Sequence, residues 1–219
     1  YNTALSNCDR QTVEGYLAWK WGLQNALPVS HPYSNNALTP QFNPLNFGAA
    51  VWYDASDSST VSGSGTSAFA WINKSGLTTA SRNSTGFPTY VSNVVNNRNA
   101  VLCSDSTEGI QLNTANNAAF SPVNGQVSFF AVPFTISGTN ANINDVNAFS
   151  RFSLNWTNTG ITASLTGASS STVTYSGLIG NPFIVELTSA GFSSTGTLYV
   201  NGNTVTTFTT GNTTFTSFM

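Results

Sequence analysis

The sequence predicts an all-β protein in which two antiparallel sheets pack together, preceded by one short helix. Short runs of alternating apolar and polar residues recur along the chain, separated by clusters of Gly, Ser, Asn and Asp, as in β-sandwiches. Asn201-Gly202 lies between alternating apolar residues, a pattern that strongly favours a type I′ hairpin. The run from Arg10 to Tyr33 is the one stretch with convincing helical periodicity.

The helix has recognisable start and stop signals. Ser6 and Asp9 form an S-x-x-D capping box, and Gly22 suits the left-handed conformation that follows many helices. Gly15 costs about 1 kcal/mol relative to Ala inside a helix, so it predicts that another element lies close to the helix backbone there. One face should carry apolar side chains and point inward, namely Val13, Tyr16, Leu17 and Trp21.

About a dozen short strands are predicted after the helix, enough for two packed sheets. Residues 137–147 are predicted to be a surface loop. The predicted strands are Ala49–Tyr53, Ala68–Asn73, Thr89–Val95, Ala100–Cys103, Gly109–Leu112, Gln126–Phe134, Ala148–Leu154, Gly160–Leu165, Thr172–Tyr175, Pro182–Thr188, Thr197–Asn201 and Thr204–Phe208.

Two stretches resemble concanavalin A-like lectin/glucanase (laminin-G-like) domains, which occur as repeats in virion proteins of giant DNA viruses and in extracellular proteins of planctomycete-type bacteria. Residues 1–33, YNTALS…DRQTVEGYLAWKWGLQ…LP…HPY, are similar to the closing segment of that family. Residues 47–76, FGAAVWYDASDSSTV…FAWINKSG, resemble its opening segment. The resemblance implies a two-sheet antiparallel jelly-roll sandwich.

The closing segment comes before the opening segment, which leaves two domain arrangements open. In the first, residues 1–33 end a preceding repeat, residues 34–46 are a linker, and residues 47–219 form a jelly-roll domain that is incomplete at its C-terminus. The chain would then be a piece of a longer repeat protein. In the second, a circular permutation, Tyr1 to Leu5 supply the last strand of the same sandwich.

Composition excludes several classes of partner. Only 6% of the 219 residues are charged, against about 25% in ordinary soluble domains, so neutral hydroxyl and amide groups must cover the surface. The net charge is -2 and the six Lys and Arg residues are scattered, which gives no footprint for nucleic acid or anionic lipid. The longest apolar run, residues 127–134, is too short to span a bilayer. We therefore expect no nucleic acid partner and no membrane insertion.

The sequence predicts that the chain is not an enzyme. Concanavalin-like glucanases place carboxylates two residues apart on one strand to flank a glycosidic bond, and no predicted strand carries such a set. A Ser-His-Asp arrangement would need His31, which lies in a Pro-flanked tail. We expect no catalytic residue and no cofactor. Two cysteines do not make a disulfide framework, so Cys8 and Cys103 are expected to be free thiols, the latter buried in a strand.

Asp54 and Asp57 allow two interpretations. With Asn73 or backbone carbonyls they could hold calcium, which needs about six to eight oxygen ligands. Alternatively, each side chain accepts backbone N–H groups in an Asx-turn. The second interpretation is favoured, because few acidic ligands lie nearby.

Aromatic residues supply the candidate glycan-binding site. Trp52 and Trp71 lie among apolar neighbours and are expected in the core. Trp156 lies among Asn and Thr at a turn and is expected to be exposed, where it could stack on a sugar ring with Tyr175 and Asn155 beside it. Four N-x-S/T sequons occur; this pattern allows glycosylation but does not by itself predict it. They begin at Asn73, Asn83, Asn155 and Asn212.

Two functional hypotheses follow from these observations. The first is a non-catalytic structural module of a virion or cell surface, whose partners are neighbouring structural subunits and whose neutral faces pack on them. The second is a lectin-like adhesion module that binds glycans. The resemblance to virion proteins favours the first, and a glycoside hydrolase-like enzyme is a remote third.

Overall fold

The computed structural model describes residues 1, 3–37, 42–76, 79–82, 86–103, 110–112, 126–135, 141–144, 152–157, 159–165, 171–191 and 193–210. Within these residues the chain forms one α-helix, short 3-10 helices and fourteen β-strands. The predicted all-β architecture is confirmed, while the jelly-roll connectivity and the domain boundaries stay predictions. The elements are α1 (Asn7–Trp21), β1 (Val61–Ser62), β2 (Ala70–Ile72), β3 (Thr79–Arg82), β4 (Thr89–Val95), β5 (Arg98–Leu102), β6 (Ile110–Leu112), β7 (Gln126–Ala131), β8 (Ala141–Asn144), β9 (Phe152–Trp156), β10 (Gly160–Leu165), β11 (Ser171–Thr174), β12 (Val185–Ala190), β13 (Thr195–Val200) and β14 (Asn203–Thr209), with 3-10 helices at Gln24–Ala26, Pro44–Phe47 and Ser58–Thr60.

Two four-stranded antiparallel sheets form the sandwich. The first sheet has the order β14-β13-β12-β7 and the second the order β11-β10-β9-β8. A third four-stranded antiparallel sheet, β1-β2-β3-β6, has shorter strands, and the two-stranded sheet β4-β5 completes the described strands. The sandwich core takes alternate residues from both large sheets, since successive side chains of a strand point to opposite faces. Its buried members are Val127, Leu154, Trp156, Ile161, Ala163, Leu178, Phe183, Val185, Leu187, Leu198, Val200 and Phe208.

Helix α1 covers the other face of the first sheet. Ser6 accepts a hydrogen bond from Asp9 N, and Gly22 adopts a left-handed conformation, so both predicted caps are confirmed. Apolar side chains before, within and after the helix pack with residues of β7 and the segment preceding β12. Tyr1 exchanges backbone hydrogen bonds with Ser128 of β7 at 2.9 and 3.3 Å. In this structure the first 33 residues therefore contact the same sandwich that follows them.

The buried helix face is polar as well as apolar, which corrects the predicted stripe. Among the buried residues, only Val13 belongs to that stripe; Tyr16, Leu17 and Trp21 are half-buried. The reason is that paired charged groups occupy part of the helix face toward β12. The full set of buried helix residues is Arg10, Val13, Glu14, Gly15 and Ala18.

Local signals predicted several elements well. Strands β4 and β10 have the predicted bounds, and Asn201 and Gly202 have positive φ angles of 49° and 76° between β13 and β14. The predicted strand at residues 49–53 is wrong. Its backbone is held instead by Asn73, whose Oδ1 accepts from Trp52 N, and by the hydrogen bond from Lys74 N to Trp52 O.

The predicted loop at residues 137–147 is wrong in part, because β8 pairs with β9 there. The remaining residues of that loop lie outside the described part of the chain. The polar composition of β8 gave no strand signal, and it is pairing with β9 that makes the strand.

Candidate functional site

The Asp54–Asp57 turn has the geometry of two consecutive Asx-turns. Asp54 Oδ1 accepts from the backbone N and the hydroxyl of Ser56 at 3.1 and 2.7 Å. Asp57 Oδ1 accepts from the backbone N and the hydroxyl of Ser59 at 3.2 and 2.6 Å. The turn therefore uses one oxygen of each carboxylate to hold its own backbone.

Lysine side chains take the other carboxylate oxygens of this turn. Lys20 of α1 pairs with Asp54 Oδ2, and Lys74 Nζ lies 2.6 Å from Asp57 Oδ2 and 3.8 Å from Asp54 Oδ2. Burial alone would raise the pKa of Asp54, but hydrogen bonds from Lys20 and Ser56 hold it below its usual value. The hydrogen bond from Lys74 lowers the pKa of Asp57 to about 2. A calcium ion would have to displace two ammonium groups, so this turn is poorly suited to a metal.

The structure places Trp156 in the sandwich core, whereas the glycan-binding hypothesis required it on the surface. Its side chain is 4% exposed, its ring packs edge-on against Phe183 with centroids 5.7 Å apart, and its Nε1 donates to Thr135. The expected exposure is wrong because the flanking polar residues, Asn155 and Thr157, lie on the opposite face of β9. A ring in the sandwich core cannot stack on a sugar.

The other two predicted glycan residues, Tyr175 and Asn155, are both half-buried but lie in different surroundings. Tyr175 is half-buried against the core, and burial raises the pKa of its phenol. Asn155 lines a shallow depression of about 270 Å³ on the outer face of β9, β10 and β11. Hydroxyl groups dominate the rest of its lining, which consists of Thr157, Thr159, Gly160, Thr162, Val173 and Thr174.

A threonine face lies on the first sheet, beside helix α1. We define it as the outward side chains of β13 and β14 at Thr195, Thr197, Thr207 and Thr209. Thr195 pairs with Thr209, and Thr197 pairs with Thr207. Thr195, Thr207 and Thr209 are exposed and Thr197 is half-buried, whereas the intervening Gly196 and Phe208 are buried on the core side. The spacing is roughly 6.8 Å along each strand and roughly 5 Å between them, which gives a regular uncharged surface.

A buried ionic cluster joins α1 to the first sheet, and sequence reasoning missed it. Arg10 Nη1 lies 2.7 Å from Glu14 Oε1 and 3.3 Å from Glu186 Oε2 of β12. Glu14 Oε2 also lies 3.1 Å from His31 Nε2. The guanidinium of Arg10 stacks over the ring of Tyr199, 4.2 Å from its centroid. Helix α1, the segment around His31 and the first sheet therefore meet at this ionic cluster.

The sequence held two signals for this cluster. Arg10 and Glu14 are spaced i, i+4, the spacing of a helical ion pair. Glu186 interrupts an apolar strand, between Val185 and Leu187, at the position that faces away from the sandwich core. Neither signal identifies the partner, because only the docking of α1 on β12 brings the groups together.

The remaining aromatic and cysteine predictions need correction. Trp52 and Trp71 are half-buried and lie outside the buried core clusters. Trp71 packs against Tyr53 with ring centroids 5.3 Å apart, and Lys74 lies over the Trp52 ring. Cys103 is exposed rather than buried, because it follows the last residue of β5. Neither Cys8 nor Cys103 forms a disulfide in this structure.

Comparison with known proteins gives little similarity. No protein-family model matches the chain, and no curated protein matches it. A solved structure of botulinum neurotoxin type C, concerned with its interaction with two ganglioside molecules, is 16% identical with a TM-score of 0.42. The match covers 68% of this chain and 39% of the toxin chain. Similarity at this level does not establish a shared fold or ligand. Among the described residues, no helix is long and apolar enough to cross a membrane.

Proposed function

We propose that this chain is a non-catalytic structural module that packs through its threonine face against neighbouring subunits of a larger assembly. The sequence resemblance to concanavalin-like repeat proteins implies a virion or a cell surface as the setting. The observation that carries the proposal is the regular, exposed and uncharged array of Thr195, Thr197, Thr207 and Thr209.

This surface suits packing better than catalysis. Neutral hydroxyls are cheaper to remove from water than charged groups, which are depleted at the centres of interfaces. The acidic side chains within the described ranges all have structural partners, which supports a role without acid–base chemistry. Asp9 accepts a hydrogen bond from the hydroxyl of the N-cap residue Ser6, Asp54 and Asp57 pair with lysines, and Glu14 and Glu186 are buried beside Arg10.

Charged residues placed on the threonine face test the proposal. We expect the wild-type chain to self-associate as its concentration rises, measured by light scattering after size-exclusion chromatography. The double variant Thr207→Lys with Thr209→Lys should remain monomeric and folded, because two buried ammonium groups across an interface are strongly unfavourable.

The matched control puts the same charges on the second sheet. Thr159 and Thr174 are exposed at the depression, so Thr159→Lys with Thr174→Lys should associate like the wild type. Equal association of wild type and the Thr207/Thr209 variant would contradict a packing role for this face.

A second candidate function is glycan binding at the depression beside Asn155. Threonine hydroxyls and an amide can donate to and accept from sugar hydroxyls, which supports a neutral saccharide as ligand. Because none of the described residues that line the depression is aromatic, such binding would be weak. Screening the wild type against a glycan array tests it: binding that is lost in Asn155→Ala would support the lectin hypothesis, and no binding to any glycan would refute it.

A further inference from the structure

The buried ionic cluster contains more acid than base. Glu14 and Glu186 are both 0% exposed, and both approach the same nitrogen of Arg10. If both carboxylates were ionised, the cluster would hold two negative charges and one permanent positive charge. Removing an uncompensated charge from water is expensive, so the geometry favours one bound proton.

Both ring nitrogens of His31 make hydrogen bonds in this structure. Its Nδ1 accepts a hydrogen bond from the backbone N of Tyr33 at 3.3 Å. This contact places the ring hydrogen on Nε2, where it can donate to Glu14 Oε2. A hydrogen on Nδ1 would point at the Tyr33 N–H, so the hydrogen-bond geometry favours a carboxylate as the site of the extra hydrogen.

Glu186 is the carboxylate that holds the proton. Its Oε1 is buried without a hydrogen-bond partner among the described residues, whereas Glu14 receives hydrogen bonds from Arg10 and His31 on its two oxygens. Burial raises the pKa of Glu186 well above its ordinary value; the neighbouring Glu14 carboxylate raises it further, and Arg10 lowers it. A protonated Glu186 can donate its O–H to Glu14.

We propose that this single proton, held by Glu186 and shared with Glu14, latches helix α1 to the outer face of the first sheet and that its loss releases the helix. Arg10 and Glu14 from α1 face Glu186. His31 contacts Glu14, and Tyr199 of β13 pairs with Glu186 across the sheet and lies under the Arg10 guanidinium. On deprotonation the proton leaves to solvent and the cluster gains one negative charge. Undocking α1 hydrates both carboxylates and relieves their repulsion.

The sign of the pH dependence follows from linkage. The folded state holds the Glu186 proton above pH 4.5, the ordinary value for this carboxyl, whereas an opened state does not. Docking of α1 is therefore strongest in acid and weakens as the pH rises above 4.5, where the opened state has lost the Glu186 proton and the docked state still holds it. The opening equilibrium should increase by up to about tenfold per pH unit until the docked state itself ionises.

Hydrogen exchange resolved by residue tests the latch on the full chain. After correction for the intrinsic exchange rate, the opening equilibrium measured at the amides of residues 13–18 in α1 should increase as the pH rises from 5 to 8. The amides of residues 161–163 in β10 should show no such increase. Equal opening of both segments would mean global unfolding, and a flat response of α1 would mean that no proton controls it; either result overturns the proposal.

Two variants separate the latch from an ordinary structural contact. Glu186→Gln keeps the shape and can donate to Glu14 as the protonated acid does, so it should hold α1 docked with a flat pH response. Glu14→Gln removes the neighbouring charge and should also flatten the response. Asp9→Asn changes a carboxylate of the same helix outside the cluster and should keep the wild-type slope. A wild-type slope in both Gln variants would overturn the assignment.

Discussion

At the scale of single residues, Gly15 shows how one missing side chain sets a packing distance. The ring and Cβ of Tyr33 lie against the α1 backbone at this position, and a Cβ on residue 15 would come within 2.6 Å of them. Trp19 Nε1 donates to the Tyr33 carbonyl at 2.8 Å, which fixes the tail from the other side. The predicted close approach at Gly15 is thus confirmed, and its helix cost is offset by this contact.

We expect Gly15→Ala to destabilise the protein despite the better helix propensity of Ala. Overpacking costs about 1–3 kcal/mol, while the propensity gain is about 1 kcal/mol, so the net loss should be up to about 2 kcal/mol. Urea unfolding measures it.

The same substitution in a Tyr33→Ala background is the control for Gly15→Ala. There the clash is gone, and Ala at position 15 should be neutral or stabilising. Equal losses in both backgrounds would show that Tyr33 is not the cause.

At the scale of elements, α1 is docked by two charge contacts with opposite pH behaviour. The Glu186 cluster holds the helix best in acid, as argued above. The pair of Lys20 with Asp54 behaves in the opposite way, because a lowered pKa means that the folded state favours the ionised carboxylate. Its contribution is present above about pH 3.8 and is lost as pH falls below that value.

Asp54→Asn should therefore cost about 1.5–3 kcal/mol at pH 7, the range for a hydrogen bond to a charged group. The gap between wild type and variant should shrink below pH 3.8, as the wild-type carboxyl becomes protonated. Thermal unfolding across pH 2.5 to 7 measures both curves. A gap that stays constant over this range would contradict the ion pair as the source of the effect.

Helix capping is a second element-scale prediction. Ser6→Ala removes the hydroxyl that accepts from Asp9 N and should cost about 1 kcal/mol. Ser6→Asp, which retains an acceptor and adds a charge favoured at a helix N-terminus, should stay close to the wild type. Urea unfolding compares the two variants, and equal losses would mean that the cap does not act through this hydrogen bond.

At the scale of the whole molecule, sequence reasoning succeeded where nearest neighbours decide the structure. The capping signals of α1, the Asn201-Gly202 hairpin and the bounds of β10 all depend on residues close in sequence. It failed where a distant partner decides. The polar neighbours of Trp156 suggest an exposed ring, whereas the alternation along β9 points that ring into the core. Strand β8 has no strand signal of its own, because only its pairing with β9 makes it a strand.

The candidate site shows the same division. The Asx-turns at Asp54 and Asp57 follow from local sequence, but the lysines that pair with them come from α1 and from a turn after β2. The depression beside Asn155 and the threonine face both depend on strand register. Alternation of polar and apolar residues suggests which side chains point outward, but the register is determined only by the pairing of β10 with β9 and β11 and of β13 with β14. Burial of Glu186 depends on a helix more than 160 residues away in sequence, since its Arg10 contact spans 176 residues.

The most direct test of the assembly proposal is the structure of this chain in its native assembly, determined by cryo-electron microscopy. We predict that the threonine face of β13 and β14 is buried by a neighbouring subunit. A threonine face that remains open to solvent, with every intersubunit contact made elsewhere, would contradict it.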